Sequence, residues 1–390
     1  MHTPPRWKWS VVVVLSGILL ACSGTPGTDG GTGGGSATGG GTATGGGATG
    51  GGTGGGTTGG GSATGGGGAT GGGGATGGGT SGGGIFEKTL PWNTDVSGLA
   101  KSTRSDAIIA QMVAAGGWGN GNKLQIDFSI PLFFADSSTP RKTIVAPASG
   151  YCYGNGPDCD TVPLQMPVPA NANIEGSADL TCDVANNDCH LLVVERTEKK
   201  LYEIYNATGV GSNIAALGAF TWDLTKQYTA VLRGDQCTSA DAAGLPIAAL
   251  LPTADEVAAG TVSHALRFIL PNAKMKQGVY VRPATHAGAP SSTNADSPPY
   301  GVRLRLKATF DETPFTPGAR VILQAMKKYG LILSDGGNIA LTFADDRTTT
   351  AKWAGQGITA QTFNNIGVSN FEVVDLGAEI TNTFNCVRAP

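Results

Sequence analysis

From residue 123 onward the chain reads as short runs in which apolar and polar positions alternate, set apart by Gly, Asn, Asp and Pro. The runs are KLQIDFSI, CHLLVVER, KLYEIYNA, AFTWDL, YTAVLR, HALRFIL, GVYVR, VRLRLKATF, LILS, NIALTFA and FEVVDL. A period of two is the signature of a strand with one face buried. Three stretches carry helical signals instead. Ser105 to Ala115 opens on an N-cap residue and stops at Gly116-Gly117. Thr253-Ala254-Asp255-Glu256 is a capping box after Pro252, and the short helix it opens ends at Gly260. Thr316 to Tyr329 has Pro317 at its first helical position, an apolar face of Ile322, Ala325, Met326 and Tyr329, and Gly330 as its stop. Many strands with few helices predict a mainly β fold, an antiparallel β-sandwich of jelly-roll type with a few surface helices. Helices do not alternate with strands, so a parallel α/β architecture is not expected.

Composition divides the chain. It has 390 residues and 63 glycines, most of them before residue 85. Arg6 and Lys8 precede an apolar run from Val11 to Leu20, and Leu19-Leu20-Ala21-Cys22 follows. The run is too short to span a bilayer as a mature helix, and residues 1–21 resemble a bacterial lipoprotein signal peptide. The resemblance implies cleavage before Cys22, acylation of that cysteine with chains such as palmitate, and a stable membrane anchor. Because Ser23 rather than an aspartate follows, it also implies sorting to the outer membrane or cell surface. Residues 22–84 are almost pure Gly, Thr, Ala and Ser with Asp29 as their one charge. Such a segment buries nothing to offset the entropy of ordering it, so it is expected to be a disordered tether with a span of roughly 45 Å. Residues 85–390 form the expected secreted β-domain.

With Arg6, Lys8 and Asp29 set aside, 24 basic and 28 acidic side chains remain, a net charge of −4 that speaks against nucleic-acid binding. Six cysteines are left after Cys22, an even number suited to disulfides in an oxidising compartment. Cys152 and Cys159 flank YGNGPD, Cys182 and Cys189 flank DVANND, and Cys237 with Cys386 would close a long loop. No CxxC pair points to a metal.

The candidate chemistry lies in the histidines and their neighbouring acids. His190, His264 and His286 each stand at the start or end of a strand-like run, where sites in β-folds gather. Three imidazoles could bind a metal or serve as general acid and base; each could equally be structural. Residues 190–206 read as a hairpin turning at Glu198-Lys199. Pairing Thr197 with Lys200 sets Val194 opposite Glu203, with Glu203 on the face of His190, Leu192 and Tyr205. Asp241 is a lone acid in a small, apolar loop. In VRLRLKATF, Val302, Leu304 and Leu306 face one way while Arg303, Arg305 and Lys307 face the other. That basic set reads either as a solvated face or as a groove for an anionic chain such as a uronate polymer. Trp118 could stack on a sugar ring or pack in the core, as could Trp353. No GxSxG elbow, phosphate loop or HExxH is present in residues 85–390.

NANIEGSAD, HLLVVERTEKKLYEIYNA, TSADAAGLPI, HALRFIL, PATHAGAPSSTNADSPPYGVRLRLKATFD and VILQAMKKYGLILSDGG follow one another between Asn171 and Gly337. This order of motifs resembles a family of secreted bacterial and fungal β-rich proteins. The family pattern has histidines at His190, His264 and His286 and acids at Glu195, Glu203, Asp241 and Asp311; the segment NIALTFADDRTTTAKW departs from it. The resemblance brings no activity with it. Secretion, the tether and the titratable residues together lead us to expect a surface-anchored protein acting on extracellular polysaccharide as a glycoside hydrolase or lyase. The expected site is His190, Glu203, Asp241, His264 and His286, with Arg303, Arg305 and Trp118 binding substrate. A non-catalytic glycan-binding or adhesion module and a structural envelope protein are the alternatives.

Overall fold

The computed structural model of the protein describes residues 84–374 and 377–390. The expected signal peptide, Cys22 and the glycine-rich segment up to Gly83 lie outside the described residues. The first strands are β1 (Ile126–Ile130), β2 (Leu132–Ala135), β3 (Arg141–Val145), β4 (Leu164–Pro167), β5 (Leu191–Glu195), β6 (Lys200–Val210), β7 (Asn213–Asp223) and β8 (Gly234–Asp235). They are followed by β9 (Leu266–Leu270), β10 (Val279–Tyr280), β11 (Arg303–Leu306), β12 (Leu331–Gly336), β13 (Leu341–Ala344), β14 (Phe371–Val373), β15 (Ile380–Thr381) and β16 (Val387–Arg388).

The described chain is β-rich, and twelve of these strands form two six-stranded sheets, ordered β1-β13-β9-β12-β11-β14 and β2-β5-β6-β7-β3-β4. Both are mixed, which corrects the antiparallel expectation: β1 with β13, β9 with β12, β2 with β5 and β3 with β7 run parallel. The path of the chain explains this. Only Pro131 separates β1 from β2, yet they belong to different sheets, so each finds its neighbours far along the sequence. Distant connections permit parallel pairing, whereas tight hairpins do not. Strands β2 to β4 escape the sequence reading because LFFA, RKTIV and LQMP lack clean alternation. Conversely YTAVLR is a turn, with Leu232 left-handed at φ 50° and the Arg233 guanidinium drawn in to Asp160 at 2.7 Å.

The cap signals at Thr253 and Thr316 hold, whereas the first helix has Arg104 rather than Ser105 at its N-cap and no side chain caps it. The three helices expected from the sequence are present as α1 (Ser105–Ala114), α2 (Ala254–Ala258) and α3 (Pro317–Lys328). The Thr253 hydroxyl accepts from the Glu256 N–H at 3.2 Å, and the Glu256 carboxylate accepts from the Thr253 N–H at 2.9 Å, completing the capping box. In the β5–β6 hairpin Glu195 pairs with Lys200 and Leu192 with Glu203, two residues away from the predicted register. A slip of two preserves the face on which each side chain lies. Glu203 therefore shares a face with Leu192, Val194 and Leu201, turned to a core that also holds Phe220 and Trp222 of β7 and Phe268 and Leu304 of the other sheet. The opposite face of β5 and β6 closes over a second cluster around Leu191, Val193 and Ile204.

Disulfides join Cys152 to Cys159, Cys182 to Cys189 and Cys237 to Cys386. No helix among the described residues is long and apolar enough to cross a membrane.

The basic stripe of β11 is neither a solvated face nor an anion groove. Arg303 and Arg305 are buried beneath the segment that precedes α1. Arg303 donates to the carbonyls of Tyr329, Pro91 and Thr94 at 2.6, 2.9 and 3.1 Å. Arg305 pairs with Glu372 at 2.6 Å and donates to the carbonyls of Val96, Ser97 and Leu99. The two guanidiniums stitch residues 91–99 to the sheet. Trp118 is likewise core: fully buried, it donates to the Ile366 carbonyl at 2.8 Å and meets Phe268 and Phe371 edge-on. Trp353 is also buried and donates to Ala344.

Candidate functional site

A cleft of about 180 Å³ is lined by Asp127, Glu175, Asp188, His190, Arg267 and Thr342, with Ile130, Ile269 and the Gly336 to Ile339 turn completing its walls. Two irregularities in the first sheet build it. Asp127 of β1 pairs with Thr342 of β13, and the register then shifts before Ile130 reaches Ala344. On β9, Ile332 pairs with Arg267 and Leu333 with Phe268, but Asp335 pairs with Ile269, so Ser334 is an extra residue on β12. Bulges of this kind re-aim the side chains beside them. The second sheet supplies His190, which follows the bridged Cys189 at the mouth of β5.

Arg267 is the buried centre. Its guanidinium contacts Asp241 at 3.0 Å, Asp335 at 2.9 Å and the Thr342 hydroxyl at 2.8 Å. Burial by itself disfavours the cation, but the two carboxylates override this and push its pKa further up. A charge so deep is tolerable only when paired in this way. Burial pushes the fully buried Asp241 carboxyl upward, against the pull of Arg267.

His190 is the second centre. Its Nδ1 donates to Glu175 Oε2 at 2.7 Å and its Nε2 to the Ala240 carbonyl at 3.1 Å, so both ring nitrogens face acceptors and the ring is an imidazolium. Burial would lower its pKa, but Glu175 raises it to about 9. Burial would raise that of Glu175, but the His190 charge brings it down to about 2. Asp127 and Asp188 differ from these acids. Neither forms a salt bridge among the described residues, and burial raises both above the usual carboxylate range, with Glu175 adding to the rise at each. Asp127 accepts from the Ser129 N–H and hydroxyl, both at 2.9 Å. The Tyr205 ring lies 5.6 Å from that of His190.

The five residues expected to form the site are not brought together. Asp241 stands behind Arg267 with no exposed surface. Glu203 is equally buried; it accepts from the Trp222 indole and the Ala248 N–H, each at 2.9 Å, and burial lifts it to about 7. His264 lines a different, largely apolar cavity with Leu132, Phe134 and Leu251, donating to the Ala265 carbonyl at 2.9 Å and facing Glu256 at 3.3 Å. His286 donates to the Ala242 carbonyl at 2.8 Å and meets the Phe384 ring edge-on; burial holds its pKa below the ordinary value. The loop from Ala240 to Ala242 thus receives His190 through one carbonyl and His286 through another.

A shared metal at His190, His264 and His286 does not fit this geometry. Among the described residues the only three potential ligand atoms within 4.8 Å of one another are those of Asp158, Cys237 and Cys386, and these two sulfurs are bonded to each other. The remaining acids of the family pattern lie elsewhere: Glu195 is buried at the end of β5, and exposed Asp311 holds the N–H and hydroxyl of Thr313. Sequence reasoning missed Asp127, Glu175, Asp188, Arg267 and Asp335. An arginine inside the apolar run HALRFIL was the signal for the buried pair; Asp127 and Glu175 left none.

Fold and site together define a β-rich domain with a small cleft in which a histidine and an arginine are each paired to carboxylates and two further acids stand beside them. No protein-family model, curated protein or solved structure matches the chain.

Proposed function

We propose that the protein acts on extracellular polysaccharide at the His190 cleft, as a glycoside hydrolase or lyase carried on a lipid-anchored, surface-exposed tether. The observation that carries this reading is the pair of carboxyls, Asp127 and Asp188, that line the cleft without a salt bridge among the described residues; burial raises the half-buried Asp127 above the usual carboxylate range, and Asp188, though its side chain is exposed, is shifted the same way. A raised carboxyl is what a general acid at a glycosidic oxygen needs, and a second carboxylate is its usual partner. In hydrolysis one carboxyl gives its proton to the departing oxygen while the other takes a proton from the water that adds to the anomeric carbon. The His190–Glu175 pair and Arg267 fix the field in which both titrate. The core that the two sheets share supports a sandwich-type architecture beneath the site.

A glycan-binding module is the second reading, favoured by the Tyr153 side chain, which is 62% exposed. One experiment separates the two. A panel of polysaccharides is assayed for product release with the wild type, Asp127→Asn and Asp188→Asn. The enzymatic reading expects each variant to lose roughly 10²- to 10⁴-fold in turnover; binding without any product from the wild type leaves only the module. Anchoring is tested by fractionation, where Cys22→Ser is expected to leave the membrane pellet.

A further inference from the structure

The Ser129 hydroxyl stands between two carboxyls that line the cleft. Its Oγ lies 2.9 Å from Asp127 Oδ2 and 3.1 Å from Glu175 Oε1. The backbone holds it there from both sides. The Ser129 N–H donates to Asp127 Oδ1 at 2.9 Å, and the Ser129 carbonyl accepts from the Gly176 N–H, next to Glu175, at 3.2 Å.

A hydroxyl carries one hydrogen. Between two ionised carboxylates it can serve only one of them, and the other contact is then oxygen against oxygen with no proton between. One further proton on either carboxyl satisfies both contacts. Glu175 is the poorer place for it, because its Oε2 already accepts from His190 Nδ1 at 2.7 Å and from the His190 N–H at 3.2 Å, and the imidazolium favours its anion.

We propose that Ser129 is a positioning residue that keeps the cleft's last proton on Asp127, which makes Asp127 the general acid and Asp188 the base. This rests on the glycosidic reading above and deepens it by assigning the two roles. With Asp127 protonated, its Oδ2–H donates to Ser129 Oγ and the hydroxyl hydrogen turns to Glu175 Oε1. With Asp127 ionised, that hydrogen swings back to Oδ2. The protonated arrangement has two hydrogen bonds through Ser129 and the ionised one has a single bond. The charges around Asp127 act in the same direction. Burial pushes it toward the neutral acid and Glu175, from the loop before β5, adds to this; Arg267 of β9 opposes them while itself bound to Asp241 and Asp335. At Asp188 burial again pushes upward, but the residue is exposed and the His190 charge draws it toward the anion.

The test is a carbon NMR titration of the carboxyls in protein labelled at aspartate and glutamate, with Asp127→Asn and Asp188→Asn assigning the signals. The wild type, Ser129→Ala and Ser129→Thr are compared, and thermal melts confirm folding. In Ser129→Ala the Asp127 midpoint is expected to fall by about one pH unit, the worth of one hydrogen bond, while Ser129→Thr keeps the hydroxyl and stays near the wild type. A hydroxyl that only donated to Asp127 would favour its anion, so a midpoint that rises in Ser129→Ala overturns the proposal, and an unmoved one does the same. If the alanine variant does not fold, the wild type decides: Asp127 is expected to ionise last of Asp127, Glu175 and Asp188, and Asp188 ionising last sinks the assignment. The glycan reading fails separately. A wild type that releases no product from any polysaccharide ends the acid and base roles, while the titration still decides where the proton sits. Where product is released, the alkaline limb of the turnover profile is expected to move down with the Asp127 midpoint in Ser129→Ala, and an unmoved limb takes the acid role from Asp127.

Discussion

At the residue scale the molecule is governed by where it hides charge. His190 and Glu175 make a pair whose stability depends on pH in a definite sense. The folded pKa of His190, about 9, lies above its ordinary 6.5, so its contribution is complete below about 6.5 and is lost as pH rises through about 9. The folded pKa of Glu175, about 2, lies below its ordinary 4.5, so its contribution is complete above about 4.5 and is lost as pH falls toward 2. The pair is therefore at full strength only between about pH 4.5 and 6.5. Urea midpoints for the wild type are expected to be higher at pH 5.5 than at pH 3 or 9.5, and that contrast is expected to shrink in Glu175→Gln. An NMR titration of the His190 ring is expected to give the complementary result, with the midpoint falling from about 9 once the carboxylate is gone and burial and the Arg267 charge are opposed only by Asp188. An unmoved midpoint would show that Glu175 does not control the imidazolium. Arg267→Met strands Asp241 and Asp335, and the expected cost is about 3–5 kcal/mol in denaturant unfolding.

Among the elements, β11 carries the clearest lesson. Its alternation of Val302, Leu304 and Leu306 with Arg303 and Arg305 is that of a half-buried strand, and both faces prove to be covered. The arginines reach the carbonyls of Pro91, Thr94, Val96, Ser97 and Leu99, adding donors to a segment in which only Pro91 and Val96 of these five also accept a described backbone N–H, from Thr94 and Leu99. Arg303→Leu is expected to destabilise by about 2–4 kcal/mol, as a buried cation's hydrogen bonds are lost, while leaving glycan binding as it was. Reduced polysaccharide affinity at unchanged stability would restore the groove reading of this strand. The β5–β6 hairpin is more forgiving. Its turn lies two residues from the predicted pairing, yet Glu203 keeps its face because side-chain direction repeats every two residues.

For the whole molecule, the Cys237–Cys386 bridge ties the C-terminal strand β16 to β8 and to the loop whose carbonyls receive His190 and His286. It spans a sequence separation of 149, against 7 for each of the others. Chain entropy favours the longer closure, so Cys386→Ser is expected to cost about 4–5 kcal/mol and Cys182→Ser closer to 2–3. Equal losses in thermal melts would show that local packing outweighs the loop term. Sequence alone decided the features that depend on neighbours a few residues away. The caps of α2 and α3, the two small cysteine loops and the face of Glu203 are of this kind, since hydrogen-bond reach and backbone period are local properties. It also indicated the β-rich class, because alternation survives averaging over many strands. Which strands share a sheet, and hence which acids meet, was settled only by tertiary structure. Asp127, Glu175, Asp188 and Arg267 are scattered over 141 positions of the chain, and no local pattern records that β1, β5 and β9 bring them to one cleft. The same holds for burial. A period of two says that a strand has two faces, and only the packing of the rest of the chain decides whether one or both are taken out of water.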